Sequence, residues 1–336
     1  MTDTDRVSSI AGLPTTVLVA PDSFKGTFSS ASVADAIGRG LAAGGYALDL
    51  CPTADGGEGT LEALVAALGG DLRSARVSDP LGREVQARFA LSGRAGFVET
   101  AAASGLGLVA ASERDALAAG TGGTGELVLA AAQAGAKTIY LGVGGSATTD
   151  GGAGAIRAIR RGGGLRGARL VILCDVRTPF EAAARVFGPQ KGADESDVRR
   201  LTSRLHALAR RLPRDPRGLP MTGAAGGLAG GLWSAFGAEL VSGASFVLDA
   251  AGFDARMRAA RAVVTGEGKL DRQSLAGKAV SEVATRARQA GVPCHAIVGT
   301  RELGPFGCRV LDLETVLEAS TLIEIEAAGL ALAQRL

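Results

Sequence analysis

The sequence predicts an α/β protein built on a mainly parallel sheet. Short apolar runs rich in β-branched residues alternate along the chain with amphipathic stretches of helical period. An acidic residue follows each of these runs, in most cases among glycines. Parallel strands need helical crossovers, so the alternation favours a parallel sheet whose strands all end at one edge. Ligands bind at that edge in such sheets.

The composition limits the classes of function. With 336 residues the chain is long enough for two domains, or for one domain with a large insertion. The 36 Lys and Arg against 34 Asp and Glu leave a net charge of +2, which supplies no field for nucleic acid or an anionic membrane. We therefore expect small-molecule ligands, no nucleic acid and no membrane partner, and we leave a homodimer open.

The four cysteines form no CxxC pair and lie mostly in apolar runs, which favours buried, reduced thiols. The first residues, "MTDTDRVSSIAGLP", lack a basic start and an apolar core, so we expect no secretory signal. No apolar run reaches the roughly 18 residues that a membrane span needs. The expected location is the cytoplasm.

The first strand and helix lie in "TTVLVAPDSFKGTFSS" and the segment after it. The strand ends at Pro21, where Asp22, Ser23 and Lys25 follow, and Ser29 or Ser30 can cap the next helix. Pro and Gly alone would satisfy a turn here. The charged residues therefore either face solvent or bind something charged.

The second and third units repeat this pattern. "YALDLCPT" predicts a short strand, followed by "ADGGEG" with Asp55 and Glu58 and then by a helix. The strand Thr138 to Val143 runs into a segment of glycines, hydroxyls and an acid that ends at Asp150, before a short helix. Acids that recur at the ends of several strands indicate a functional site more strongly than one acidic turn would.

The fourth unit is "RAVVTGEGKLDRQSLAGKAV", in which we expect the strand to end at Thr265. Glu267, Lys269 and Asp271 then follow among glycines, and a helix comes next. A fifth strand, "ARLVILCDV", ends on Asp175 without the glycines.

Shorter alternating pieces separate the second and third units. In "VSDPLGREVQARFALSG" the alternation of Val85, Ala87 and Phe89, with a turn at Asp79 to Gly82, predicts a hairpin. An inserted domain that begins near residue 72 would account for it.

The residue types at the sheet edge point to phosphoryl transfer. Glycines let backbone N–H groups approach an anion, and a helix N-terminus favours phosphate or carboxylate. Carboxylates repel phosphate unless Mg²⁺ lies between them. With only His206 and His295 in the chain, a histidine base or a histidine-ligated metal is not expected. Two GxGxxG matches, "GTGGTG" and "GGGLRG", follow helical stretches and not strands, which argues against a dinucleotide fingerprint.

Six motifs occur in an order that resembles the type I glycerate kinases, from about residue 16 to 300: "APDSFKGTFSS", "PTADGGEGT", "GVGGSATTDGGAGA", "VFGPQKGA", "GAAGGLAGGL" and "VVTGEGKLDRQSLAGKAV". The resemblance implies ATP- and Mg²⁺-dependent phosphorylation of D-glycerate, with 2-phosphoglycerate favoured over 3-phosphoglycerate. It also implies a flavodoxin-like domain, here residues 1–71 and 251–336, interrupted by an α/β domain at 72–250, with the active site in the cleft between them.

We assign the candidate residues on this basis. Asp55, Asp150 and Asp271 are all candidates for the general base, since a carboxylate near the acceptor hydroxyl can take its proton. Asp22 either caps its turn or binds substrate, and Lys278 either lies on a helix surface or binds a ligand. The full set comprises catalytic Lys25, Asp55 and Asp150; substrate-binding Asp22, Ser23, Glu58 and Lys278; ATP-binding Gly144, Gly145, Ser146, Thr148 and Lys269; and metal-binding Glu267, Asp271 and Asp175.

Two alternatives remain open at this point. One is a non-catalytic glycerate-binding or regulatory protein that keeps the kinase fold. The other is a kinase of another small hydroxy acid or polyol, because the motifs report mainly on phosphate and metal chemistry. The intact set of lysines and acids argues against the first alternative.

Overall fold

The computed structural model describes residues 15–336. The stretch in which no secretory signal is expected, residues 1–14, lies outside the described residues. The described chain forms two compact units. Unit 1 contains the described residues through Pro52 together with Gly252–Leu275 and Val280–Leu336, and unit 2 contains Thr53–Ala251 and Ala276–Ala279.

The strands, in chain order, are β1 Thr16–Pro21, β2 Ala47–Leu50, β3 Asp71–Ser78, β4 Glu84–Ser92, β5 Ala95–Glu99, β6 Thr138–Gly142, β7 Arg169–Leu173, β8 Glu239–Val241, β9 Ala262–Leu270, β10 Cys294–Arg301 and β11 Thr315–Glu318. The helices are α1 Ser30–Ala43, α2 Thr60–Leu68, α3 Ala101–Ser104, α4 Gly122–Gln133, α5 Ala153–Arg161, α6 Ala183–Phe187, α7 Glu195–Ala209, α8 Leu228–Phe236, α9 Gly243–Ala250, α10 Phe253–Arg258, α11 Ala279–Ala290, α12 Pro305–Val310 and α13 Leu322–Ala333. Single 3₁₀ turns include Pro189–Lys191 and Arg272–Ala276.

The sheet of unit 1 confirms the parallel prediction. Its order is β11-β10-β9-β1-β2, and every neighbouring pair is parallel. Counted along this unit alone, the order is 2-1-3-4-5, which is the flavodoxin-like arrangement. The strand order reverses between β1 and β9, and in this arrangement ligands bind at the carboxyl ends of those two strands.

Helix α1 begins and packs as its sequence predicts. The Ser29 hydroxyl accepts the backbone N–H of Ser32, which caps the first turn. Val33, Ile37 and Leu41 are buried on the face that covers the sheet. Helix α1 also packs against α13, so closely that a Cβ at Gly40 would lie 2.0 Å from the backbone oxygen of Glu326.

Strand β9 is longer than predicted. It continues past Thr265 to Leu270 because β10 pairs with it as far as Arg301. Gly266 permits this close pairing, since a Cβ there would lie 2.3 Å from the oxygen of Ile297. Glu267 and Lys269 therefore lie on the strand itself, and the prediction that they follow it in a loop was wrong.

Unit 2 has a six-stranded mixed sheet in the order β3-β4-β5-β6-β7-β8. The first three strands are antiparallel, which confirms the hairpin prediction, and β5 to β8 run parallel. The unit begins at residue 53, which differs from the predicted boundary at 72. The reason is that Leu61 and Leu64 of α2 share a buried core with Phe97 of β5 and Val171 of β7.

Several simpler expectations agree with the described chain. Leu201 and Leu205 of α7 are buried while its arginines are exposed. All four cysteines are free and buried. Across residues 15–336, no helix combines the length and the apolar character that crossing a membrane requires.

Candidate active site

The first group of candidate residues lies where β1 ends beside β9. The backbone N–H of Asp22 donates to the oxygen of Gly266 at 2.8 Å, which extends the ladder beyond β1. The backbone at Phe24 lies close to the backbone of β9 at Gly268. A Cβ at Gly268 would lie only 3.1 Å from Cα of Phe24. The segment from Asp22 to Lys25 therefore runs along the end of β9. Asp22 is buried, and Lys25 is exposed.

Ser23 is the residue of this segment with an unsatisfied side chain. Its hydroxyl oxygen is buried and has no hydrogen-bond partner among the described residues. Its backbone N–H donates to Oδ1 of Asp22 at 2.7 Å, so Asp22 supports the turn. Buried hydroxyls are nearly always paired in folded proteins. An unpaired one at a switch point is typical of a ligand site.

The acids and the lysine of β9 have different surroundings. Glu267 is buried. Lys269 is exposed and pairs with Glu302 at 2.8 Å, and this hydrogen bond raises the pKa of Lys269. Asp271 accepts the backbone N–H of Gln273 at 2.7 Å, so it caps the turn after the strand.

In unit 2, the loop that carries Asp55 is held against the ends of β6 and β7. Oδ1 of Asp55 accepts the N–H of Gly57 at 3.0 Å, and the side chain is buried. A Cβ at Gly56, where φ is +85°, would lie 2.4 Å from the oxygen of Leu173. The N–H of Gly144 donates to the oxygen of Gly56 at 3.1 Å. These contacts bring Asp55 to the same sheet edge as the 144–149 loop.

Asp175 lies near Asp55 at this edge. Its two carboxylate oxygens accept the N–H groups of Gly243 and Ala244 at 3.0 and 2.8 Å, at the start of α9. Burial, together with a smaller contribution from the negative charge of Asp55, raises the pKa of Asp175 to about 7 against the lowering effect of these hydrogen bonds. The two carboxylates thus form a pair of like charges that a cation would stabilise.

Asp150 accepts several hydrogen bonds. Its carboxylate accepts the backbone N–H and the hydroxyl of Thr121, at 3.0 and 2.9 Å, and the N–H groups of Gly152 and Gly154, both at 2.9 Å. It therefore connects the start of α4 to the start of α5. This arrangement suits a residue that positions the loop better than one that accepts a proton.

Lys191 is a residue of this site that the sequence analysis left without a role. It ends the 3₁₀ turn after α6, and its side chain is buried. Its Nζ donates to Oγ of Ser146 at 3.0 Å and to the backbone oxygen of Thr148 at 2.5 Å. Burial lowers the pKa of Lys191 to about 7. The available signal was its place in "VFGPQKGA", one of the six motifs.

Glu99 is a second residue that the sequence analysis missed. It ends β5, is buried, and accepts the N–H of Leu61 at 2.7 Å. Burial raises its pKa to about 7, and the charges of Glu62 and Glu58 add to this increase. The signal was the pattern already used for the other units, an acid directly after an apolar strand.

The remaining candidates lie at helix starts. Glu58 is exposed and precedes α2 by two residues. Lys278 is half-buried and directly precedes α11. Among residues 15–336, no three His, Cys, Asp or Glu side chains gather in a way that could hold a metal ion. The three predicted metal-binding acids thus do not form a protein-only metal site within the described chain.

Comparisons with known proteins agree with the geometry. The model of the glycerate kinase family matches residues 17–162 and 161–324. The chain is 38% identical to glycerate 2-kinase of Escherichia coli K12 in an alignment of 325 residues, with coverage of 84% of this chain and 85% of that protein. It is 38% identical to a glycerate kinase of Bacillus subtilis 168 over 323 residues, again 84% and 85%.

A solved structure supports the same assignment. The crystal structure described as glycerate kinase 2 of Salmonella typhimurium LT2 has a TM-score of 0.78 and 34% identity. The match covers 95% of this chain and 97% of that one. The similarity therefore includes both units, and the family match continues past residue 300, where the sequence motifs end.

Proposed function

Because this chain belongs to the glycerate kinase family, a family of enzymes that transfer phosphate from ATP, we propose that it phosphorylates the 2-hydroxyl of D-glycerate. The observation that carries this choice is the 38% identity, over most of both chains, to a protein named glycerate 2-kinase. The product is then 2-phosphoglycerate and not 3-phosphoglycerate.

We propose Asp55 as the general base. A carboxylate near the acceptor hydroxyl can take its proton as the phosphoryl group is transferred. Asp55 is buried, its carboxylate accepts the N–H of Gly57, and the nearby Asp175 favours protonation of the pair. Asp150, which was equally favoured from sequence, supports catalysis by holding the loops at the starts of α4 and α5. Asp271 caps a turn and is the weaker candidate.

Glycerate recognition is proposed for the residues after β1. The positive charge of Lys25 suits either the glycerate carboxylate or the transferred phosphoryl group. The buried hydroxyl of Ser23 is available to a ligand, and Asp22 holds the backbone of Ser23 in place. Glu58 and Lys278 remain proposed substrate contacts, supported by their positions at helix starts.

ATP binding is proposed for the 144–149 loop. Gly144 and Gly145 leave the backbone accessible, and Ser146 and Thr148 offer hydroxyls for phosphate oxygens. The hydroxyl oxygen of Thr148 is buried and has no partner among the described residues, as expected of a group that faces a ligand. Lys269 is a further proposed contact of ATP. Its ammonium group would then interact with both ATP and Glu302.

The residues fit a Mg²⁺ requirement. Unit 2 has the like-charge pair of Asp55 and Asp175, and unit 1 has Glu267 on β9 and Asp271 just after it. Carboxylate oxygens of this kind are the ligands that Mg²⁺ prefers. Mg²⁺ is usually held by one or two carboxylates and the substrate phosphates, so a three-acid cluster is not needed. Asp175, Glu267 and Asp271 are the proposed ligands, and the ion would neutralise phosphate charge.

The proposed function is tested by offering ATP, Mg²⁺ and a panel of small hydroxy acids and polyols to the purified chain. We expect the highest kcat/KM with D-glycerate, and phosphorus NMR should show 2-phosphoglycerate. A better acceptor in the panel would favour the kinase of another hydroxy acid. Glycerate binding without turnover would favour the non-catalytic alternative.

Two features outside the site complete the proposal. The four free, buried cysteines support a cytoplasmic location, because reduced thiols are typical of that compartment. The molar mass in solution tests whether the chain forms the homodimer left open by the sequence.

A further inference from the structure

Lys191 is a buried lysine that contacts the 144–149 loop and has no ion-pair partner within residues 15–336. Its side chain is 6% exposed. Of its three N–H donors, one goes to Oγ of Ser146 and one to the backbone oxygen of Thr148. Both acceptors are neutral. Among the described residues no carboxylate oxygen is paired with its Nζ, although the charge of Asp150 acts on it from a greater distance.

This arrangement is costly for the ligand-free fold. Removing an ammonium from water costs several kcal/mol, and two neutral acceptors return only part of it. The ring of Phe187, whose centroid is 5.9 Å from Nζ, adds a weak cation–π contact. An anion close to the loop would supply the charge that balances Lys191.

The same loop has other groups that suit an anion. The hydroxyl oxygens of Thr148 and Thr149 are buried and have no hydrogen-bond partner among the described residues. Gly145, at a φ of +68°, turns the chain where most other residues would be strained. A buried cation, unpaired hydroxyls and a glycine turn together match a phosphate group better than a carboxylate, which has fewer acceptor oxygens to satisfy.

We propose that Lys191 supplies the positive charge that binds an ATP phosphate at the 144–149 loop. The inference rests on the proposed function in taking the anion to be a phosphate of ATP. Two of the N–H groups of Lys191 hold Ser146 and Thr148 in place, and the third faces the phosphate. Lys191 thus both orders the loop and neutralises the charge that the loop receives.

The test is the affinity of the full chain for ATP, measured by titration calorimetry without glycerate. Lys191→Met keeps the length of the side chain and removes its charge. We expect the Kd for ATP to rise at least 30-fold and the Kd for adenosine to stay within threefold. The matched control is Lys137→Met, at an exposed lysine just before β6, and its Kd for ATP should not change.

Stability separates this role from a structural one. Replacing a buried charge that has no charged partner with an apolar side chain is often neutral or stabilising. We therefore expect ligand-free Lys191→Met to melt at or above the temperature of the unmodified chain. A large fall in melting temperature together with equal losses for ATP and adenosine would overturn the proposal, as would an unchanged Kd for ATP.

A second measurement needs no variant and decides the matter if Lys191→Met fails to fold. Burial lowers the pKa of Lys191 to about 7, so near pH 8 a part of the free protein carries the neutral amine, and Asp150 is the charged group that acts on it. A bound phosphate would favour the protonated amine, so ATP binding should take up protons from the buffer. The uptake is measured from binding enthalpies in buffers of different ionisation enthalpy. No proton uptake would overturn the proposal.

These outcomes are independent of glycerate turnover. A chain that binds ATP through Lys191 yet phosphorylates no glycerate would refute the proposed function and keep this inference. If the unmodified chain phosphorylates glycerate and Lys191→Met binds ATP with unchanged affinity, the proposed function is kept and this inference is refuted.

Discussion

At the scale of single residues, the unit 2 site is distinguished by buried ionisable groups. Glu99, Asp175 and Lys191 all have pKa values moved to about 7, and burial is the largest cause for each. Large pKa shifts are found preferentially at functional sites, because ligand binding and proton transfer use ionisable groups with altered pKa values. They also change stability with pH, which gives the first prediction.

Glu99→Gln should stabilise the protein at pH 8 and leave its stability nearly unchanged at pH 4. The folded-state pKa of Glu99 is raised above its ordinary value of 4.5. Its favourable contribution is therefore complete below pH 4.5 and is lost as the pH rises through about 7. Gln keeps the acceptor for Leu61 and removes the buried charge, for a gain on the order of 3 kcal/mol at pH 8. Denaturant melts at both pH values check this, and an equal effect at both would contradict it.

Lys25→Ala should reduce turnover about a hundredfold or more while changing stability by no more than about 0.5 kcal/mol. An exposed turn lysine contributes little to folding. A cation that contacts developing negative charge contributes much more to the transition state. Steady-state kinetics and a thermal melt measure the two effects, with exposed Lys137→Ala as the control. Near-native turnover of Lys25→Ala would show that Lys25 is a solvated turn residue without a catalytic role.

Asp55→Asn and Asp150→Asn should separate catalysis from positioning. Asn at 55 keeps the shape and removes the proposed base, so kcat should fall at least a thousandfold with a near-native melting temperature. Asn at 150 would direct an NH₂ group toward N–H donors such as those of Thr121 and Gly154, so the melting temperature should fall clearly. The opposite pattern would make Asp150 the base.

At the scale of secondary-structure elements, the packing of α1 against α13 depends on glycine. A Cβ at Gly40 would lie 2.0 Å from the oxygen of Glu326 and 2.6 Å from the nitrogen of Leu330, both backbone atoms that cannot rotate away. A Cβ at Gly329 would lie 2.6 Å from the oxygen of Ile37. The two helices can therefore be this close only without side chains at these points.

Gly40→Ala should destabilise the protein by about 3 kcal/mol, near the upper end of the usual cost of overpacking. Gly122→Ala is the matched control, because Gly122 opens α4 and has no atom within 4 Å of its Cβ position. The control should change stability by less than about 1 kcal/mol, and in the stabilising direction. Denaturant melts of both variants give the comparison. Equal stabilities would show that the helices can separate freely.

At the scale of the whole molecule, we expect activity to require a divalent cation. Acids and phosphate groups share the proposed site, and the part of the chain that the structure describes holds no three-ligand cluster for a permanent ion. Excess chelator should therefore abolish turnover without unfolding the protein, and Mg²⁺ added beyond the chelator should restore it. Circular dichroism in chelator is the control for folding. Full turnover in excess chelator would refute the requirement.

The sequence by itself determined the α/β class, the hairpin and the capped helix α1. These features depend on hydrophobic period and turn chemistry, which act over a few residues. The expected single sheet edge that carries all the acids was wrong, because the structure divides the acids between the sheets of units 1 and 2. The tertiary structure decided the order of the strands, the length of β9 and the start of unit 2 at residue 53, because strand pairing and core packing join distant segments. It also decided the partners of the two missed residues: Lys191 contacts Ser146 across 45 positions, and Glu99 contacts Leu61 across 38. Whether a lysine is solvated or buried against a glycine loop is a property of the packed surroundings, and no local pattern encodes it.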